Sequence, residues 1–284
     1  MFVGLGYVEG WLELKEDCMR RLWVKHTIID WRKHSTLWSY DDEITINTQA
    51  GSQWDGLRHW GHSEYGLYYQ GIHHDDLWKG DHIGLDHWND RGGIVGRGVL
   101  IDYVSWAEKQ GIKYDAWDRH SISVGDIETI AKEQNVTFLP GDVLLVRTGW
   151  IKRYESAGEE ERQKGVAGSL SSVGVEGCEE TMEFLWNSRF SAVAGDSIGF
   201  EAWPGKKPYI MHDHLLSMWG MVSHSTDFSS WITADVLQPI GEMWDLERLA
   251  EECQKQNRWS FFLTSSPLNT KNGVASPPNA IAVF

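Results

Sequence analysis

Asp55, His59 and His62 fall within one short stretch, Gln49-Ala50-Gly51-Ser52-Gln53-Trp54-Asp55-Gly56-Leu57-Arg58-His59-Trp60-Gly61-His62. A carboxylate can hold a metal, and a histidine can move protons near neutral pH. The glycines at both ends predict a sharply bent segment rather than a continuous helix. Such a bend turns Asp55, His59 and His62 into one cavity. The spacing also has a plainer reading, a capping Asp beside a hydrogen-bonded His, so the rest of the chain must decide between the two.

Read with its flanks, the stretch resembles HxGTHxDxPxH, the metal-binding motif of the cyclase family, which includes bacterial kynurenine formamidases and isatin hydrolases. Gly51 matches its Gly, Ser52 its Thr, Asp55 its Asp and His59 its last His. Gln49 and Gln53 stand where the family has two metal-binding histidines, and Leu57 replaces the Pro. The form SQWDGLRH is similar to a separate branch of largely fungal cyclase-like proteins. That branch has phrases resembling Gly96-Arg97-Gly98-Val99-Leu100-Ile101-Asp102, Ala194-Gly195-Asp196, Phe200-Glu201-Ala202-Trp203-Pro204, Ile240-Gly241-Glu242 and Ala275-Ser276-Pro277-Pro278-Asn279-Ala280. The family's downstream pattern H-x-x-L-L…G-x-P-I-x-E is matched by His212, ahead of Leu215-Leu216, and by Pro239 to Glu242. His214 is a neighbour able to substitute for His212. The likeness runs from about His26 to Phe284 as one domain, and residues 1–25 match poorly, as a truncated or misannotated start would.

The resemblance implies an α/β chain with a mixed, α+β-like sheet in the family's swivelling β/β/α fold, assembled as a homo-oligomer. It also implies a metal-dependent hydrolase acting on a C–N or C–O bond of a small amide, formamide or lactone. Asp55, His212 and Glu242 are the expected ligands, with His59 as the acid–base residue. Gln49 and Gln53 are expected as weak neutral ligands or substrate-orienting donors, and His62, His214, Trp54 and Arg58 as further ligand or substrate contacts. Loss of two imidazoles makes the set richer in oxygen, so Mn²⁺ or Mg²⁺ gains on Zn²⁺ as the divalent metal. Two other readings stand beside this one. The chain is a metal-free small-molecule binding protein or inactive remnant, or it is a secondary-metabolism cyclase or isomerase using only His59 and Asp55.

Composition narrows the partners. A net charge of −15 disfavours nucleic acid and anionic membrane, because phosphate binding needs clustered Lys and Arg, and it fits a soluble enzyme with a small-molecule substrate. Cys18, Cys178 and Cys253 form no CxxC pair, which points to a reducing cytosol and away from a cysteine zinc site. No apolar run reaches membrane-spanning length. Trp54, Trp60, Trp78 and Trp88 crowd the motif; they suit a pocket for a flat ligand, or a core of large residues with satisfied indole N–H groups.

Along the chain, Thr27 to Trp31 reads as a strand entering the site, and Asp41-Asp42-Glu43 as a solvated loop. His73-His74-Asp75 reads as a polar loop at the pocket mouth, with a second metal cluster as the alternative. Val99 to Tyr103 is a buried strand, Ser105 to Gln110 a short helix ended by Gly111, and Val124 to Glu133 a helix capped by Ser123. The stretch Gly141 to Gly149, apolar on both faces, belongs at the centre of a sheet. Glu179 to Trp186 reads as a helix, Ser191 to Ala194 as a strand, the residues after Asp245 as a helix and Trp259 to Thr264 as the last strand. Val222 to Gln238 has no counterpart in the family pattern. It back-translates into a splice donor, branch point and acceptor, so it is read as a retained intron, with a surface loop as the alternative.

Overall fold

The computed structural model of the protein describes residues 2–4, 24–167, 171–219 and 239–284. The 222–238 insert, with the intron reading attached to it, and most of 1–25 lie outside the described residues. In chain order the first strands are β1 Phe2–Gly4, β2 Lys25–Asp30, β3 Tyr40–Thr45, β4 Gln53–Asp55, β5 Leu67–Tyr68, β6 Ile72–His73, β7 Ile94–Asp102 and β8 Ser121–Ile122. They continue as β9 Val143–Arg147, β10 Gly174–Val175, β11 Ala192–Gly195, β12 Ile240–Glu242, β13 Ser260–Ser265, β14 Ala275–Ser276 and β15 Ala280–Val283. The α-helices are α1 Asp86–Asp90, α2 Tyr103–Gln110, α3 Val124–Glu133, α4 Trp150–Ser156, α5 Glu159–Ala167, α6 Glu179–Ser188 and α7 Glu247–Gln256.

Among the described residues, nine strands form one mixed sheet in the order β1-β15-β13-β7-β9-β11-β12-β4-β14. The centre, β7, β9, β11 and β12, is parallel. Antiparallel strands flank it, with β13, β15 and β1 on one side and β4 and β14 on the other. This is the mixed α/β architecture expected. Strand β9 shows why its sequence is apolar from Val143 to Val146: both faces are covered. Leu144 and Val146 pack with Ile127 and Ile130 of α3, Ile151 of α4 and Leu185 of α6. Val143 and Leu145 pack on the other face with Trp54, Trp244 and Leu249 and Cys253 of α7. Local signals place the helices well. Ser123 and Asp126 form a reciprocal capping box at α3, and α2 ends on Gly111 at φ 70.

Three expectations need correction. Strand β2 forms, but it enters no site: it pairs with β3 in an exposed two-stranded hairpin, and no other strand among the described residues joins them. Asp41-Asp42-Glu43 lies in β3 rather than a loop, because an exposed antiparallel strand keeps charges as well solvated as a loop does. Trp259 to Thr264 is not the last strand, since β15 pairs with both β13 and β1. No helix of the described residues is long and apolar enough to cross a membrane.

Candidate active site

Strands β4 and β12 are antiparallel, with Gln53 opposite Glu242, Trp54 opposite Gly241 and Asp55 opposite Ile240. Side chains alternate along a strand, so Gln53, Asp55 and Glu242 share one face and Trp54 takes the other. Trp54 is fully buried, 4.7 Å from the Trp244 ring centroid, and its Nε1 donates to Ser265 Oγ at 2.8 Å. It is therefore a core residue and not a substrate contact. A Cβ at Gly241 would stand 2.7 Å from Ala194 Cβ and 2.9 Å from Trp244 Nε1, so glycine makes room for that indole. Just after Glu242, Met243 adopts φ 56, a costly conformation for its residue type. Two hydrogen bonds pin it: its N–H donates to Ser197 O at 2.9 Å, and its carbonyl accepts from Ser52 Oγ at 2.6 Å.

Beyond β4 the chain turns at Gly56, where a Cβ would meet Val274 O at 2.7 Å. The turn brings His59 back over the strand, with Nε2 3.8 Å from Asp55 Oδ2. His212 arrives from the other side, immediately before a π-helix at Asp213–Met218. Such wide turns occur often at functional sites. This one is stitched to the His59 segment. Asp213 accepts from Trp60 Nε1 at 2.7 Å, Ser63 N at 2.8 Å and Ser63 Oγ at 2.6 Å, and Ser217 Oγ donates to Trp60 O at 2.8 Å. His212 Nε2 consequently lies 3.6 Å from Asp55 Oδ2 and 3.2 Å from Glu242 Oε1, while its Nδ1 is 3.0 Å from Glu201 Oε2.

The two glutamines act on the carboxylates. Gln49 Nε2 donates to Asp55 Oδ1, and Gln53 Nε2 donates to Gln49 Oε1 and to Glu242 Oε2, each at 2.7 Å. The acceptors dictate this orientation, because a reversed Gln53 would set its oxygen against two others. Each carboxylate thus has one oxygen tied by an amide. The second oxygens, Asp55 Oδ2 and Glu242 Oε1, are buried without a hydrogen bond, as is Gln53 Oε1.

Burial pushes the Asp55 carboxyl up, but the nearby His59 and His212 outweigh it and hold Asp55 below the usual carboxylate range. Burial, then the charge of Asp55, pushes Glu242 up to about 7. For His212, burial favours the neutral ring, yet Glu201, Asp55 and Glu242 together hold it well above its ordinary value. Three buried carboxylates surround one imidazole, an unbalanced negative site in a place where charge is expensive. A divalent cation fits this donor set: it answers the two oxygens left without hydrogen bonds and the excess charge together. Asp55, His59 and His212 each offer a ligand atom, all within 4.8 Å of one another; the expected ligand Glu242 falls outside that grouping, although its Oε1 lies 3.2 Å from His212 Nε2.

The structure does not bring every expected residue here. His62 Nδ1 accepts from Glu64 N at 3.2 Å and its ring stacks on Tyr65, while His214 Nε2 meets Pro208 O at 3.1 Å and stacks on Tyr209. Arg58 is buried, but its Nε donates to His82 O at 2.7 Å and its Nη2 to Gly80 O at 2.9 Å, so it anchors the 80–82 loop instead. His74 of the His73-His74-Asp75 run bonds Tyr68 OH, outside the cluster. Glu201, whose Oε2 lies 3.0 Å from His212 Nδ1, is the member of the cluster that sequence reasoning missed. Its phrase, Phe200 to Pro204, was among those resembling the family branch, yet no spacing tied it to a histidine eleven residues later.

The family model "Cyclase: Putative cyclase" matches residues 15–202, leaving His212 and Glu242 beyond the matched part. A structure described as a novel cyclase is 26% identical, with a TM-score of 0.78 over 100% of this chain and 88% of its own. Isatin hydrolase A from Labrenzia aggregata is 16% identical, with a TM-score of 0.66 over 99% of this chain and 93% of its own. A "predicted metal-dependent hydrolase" from Bacillus stearothermophilus is 15% identical, with a TM-score of 0.54 over 99% and 97%. At such identities the last two likenesses carry the fold alone. No curated protein matches the sequence. With the family model covering residues 15–202, and the fold shared along the whole chain, this protein belongs to the cyclase family.

Proposed function

We propose that the chain is a metal-dependent hydrolase of the arylformamidase and cyclase type, opening a C–N or C–O bond in a small amide, formamide or lactone. The observation that carries this reading is that Asp55 Oδ2 and Glu242 Oε1, two buried oxygens without hydrogen bonds, lie 3.6 Å and 3.2 Å from His212 Nε2, with His59 beside Asp55. Asp55, His212 and Glu242 would hold a divalent cation, with Mn²⁺ or Mg²⁺ favoured over Zn²⁺ by the oxygen-rich set. Such a cation supplies Lewis-acid polarisation of a carbonyl and a lowered pKa for water.

The remaining steps belong to the chain's own side chains. His59, at 18% side-chain exposure, borders the solvent more than Asp55 or His212 does. It takes the proton from the attacking water and returns it to the leaving nitrogen or oxygen as the bond to the carbonyl carbon breaks. Asp55 Oδ2, 3.8 Å away, stabilises the imidazolium formed between those two transfers. Trp60 lies 5.0 Å from the His212 ring and 6.5 Å from Trp203, giving a flat substrate an aromatic wall. The exposed Ile28, Trp38, Tyr40 and Ile44 of the β2–β3 hairpin offer apolar surface to a homo-oligomer.

A panel of aryl formamides and lactones, assayed on chelator-treated protein with and without Mn²⁺, tests the reading. Hydrolysis restored by the metal is the expected result; a protein that binds no divalent ion would overturn it.

A further inference from the structure

We infer that Glu201 is a positioning residue for His212, fixing the ring with its proton on Nδ1 so that the Nε2 lone pair faces Asp55 and Glu242; this rests on the metal-binding reading above. Glu201 is fully buried, and its Oε2 lies 3.0 Å from His212 Nδ1. An ionised carboxylate only accepts, so the contact requires hydrogen on Nδ1. When a cation takes the place of the second ring proton, this leaves Nε2 as the lone-pair nitrogen, and that atom already stands 3.2 Å from Glu242 Oε1 and 3.6 Å from Asp55 Oδ2. A carboxylate behind a ligating imidazole fixes the tautomer and raises the basicity of the ligand nitrogen.

The backbone around Glu201 is built for this placement. Val175 N donates to Phe200 O at 2.9 Å and Ala202 N to Val175 O at 2.8 Å, while Ser172 and Trp203 exchange two hydrogen bonds at 3.1 Å. Glu201 is therefore strapped on both sides to the segment carrying β10. Gly174 permits that approach, since a Cβ there would fall 2.3 Å from the Glu201 carbonyl carbon. The carboxylate has no second use: Oε1 is buried without a hydrogen bond, and His212 is its ion-pair partner among the described residues. A residue kept for scaffolding would bond to backbone or to a basic side chain, as Asp213 and Asp142 do.

The test is zinc titration by calorimetry on wild type, Glu201→Gln and Glu201→Leu, together with the proton resonance of the His212 Nδ1–H in the zinc-loaded proteins. Zinc is chosen because it is diamagnetic. Wild type failing to bind zinc or Mn²⁺ would sink the metal-binding reading itself. Given binding, Glu201→Gln, which keeps the shape and an acceptor oxygen, should weaken zinc about 10–100-fold and move the Nδ1–H resonance upfield. Glu201→Leu should weaken zinc further and lose that resonance. If Glu201→Gln folds like wild type by circular dichroism, binds zinc within about twofold of wild type and leaves the resonance in place, Glu201 does not position His212.

Discussion

Asp55 and Glu242 divide their oxygens between two tasks, one bonded to a glutamine amide and one turned toward His212. These hydrogen bonds support an orienting role for the two glutamines, which stand where the resemblance places the family's histidines. Gln53→His should therefore tighten zinc, since imidazole suits that ion better than an amide. It should also lower turnover, because one imidazole cannot donate to both Gln49 and Glu242 as the amide does. Parallel zinc titration and rate measurement decide the matter: tighter zinc with faster turnover would contradict an orienting glutamine. His59→Gln, by contrast, should keep the metal and lose turnover by roughly 10²–10⁴, the usual worth of a general acid–base. Normal turnover in that variant would remove His59 from proton transfer. Asp55 and His59 were legible in sequence because four residues and a glycine bring them together locally. Glu201 was not, because a buried acid gives no sign of its partner until the chain has folded.

At the scale of elements, what the sequence showed clearly was what neighbours in the chain determine. The Ser123 cap of α3 and the apolar run of β9 needed no distant partner to be recognised. Strand β4, only three residues long among glycines, was hidden in a segment read as a bend, so the alternation that sends Trp54 to the core went unseen. The β2–β3 hairpin was misplaced for a related reason: pairing partners are a property of the sheet. One junction yields a pH prediction. Asp196, just past β11, accepts from Thr148 N at 2.6 Å, Thr148 Oγ1 at 2.7 Å and Gly149 N at 2.8 Å, joining β11 to the end of β9. Burial outweighs those donors and pushes its carboxyl from 3.8 up to about 6. A carboxyl raised on folding favours the native state most below 3.8, and that contribution is lost as pH rises through about 6. The stability of wild type relative to Asp196→Asn should thus fall by about 2–3 kcal/mol across that interval in urea melts. A flat difference would mean that the three donors offset the burial, so that Asp196 titrates in the folded protein as it does in the unfolded chain.

For the whole molecule, the mixed sheet is what assembles a site from residues nearly two hundred positions apart. The register of β4 on β12 sets Asp55 and Gln53 beside Glu242, and the π-helix stitched to Trp60 and Ser63 delivers His212 between them. The sequence carried the fold class through its resemblance to a family, but not this arithmetic of register. The buried carboxylates gathered around His212 make this the place where a divalent cation would fit. The most direct measurement is divalent metal content per chain, by elemental analysis after chelation, reloading and desalting, for wild type and Asp55→Ala. One ion per wild-type chain and none in a folded Asp55→Ala is the expected result. A wild-type chain that retains no metal, or an Asp55→Ala chain that retains as much as wild type, would contradict it.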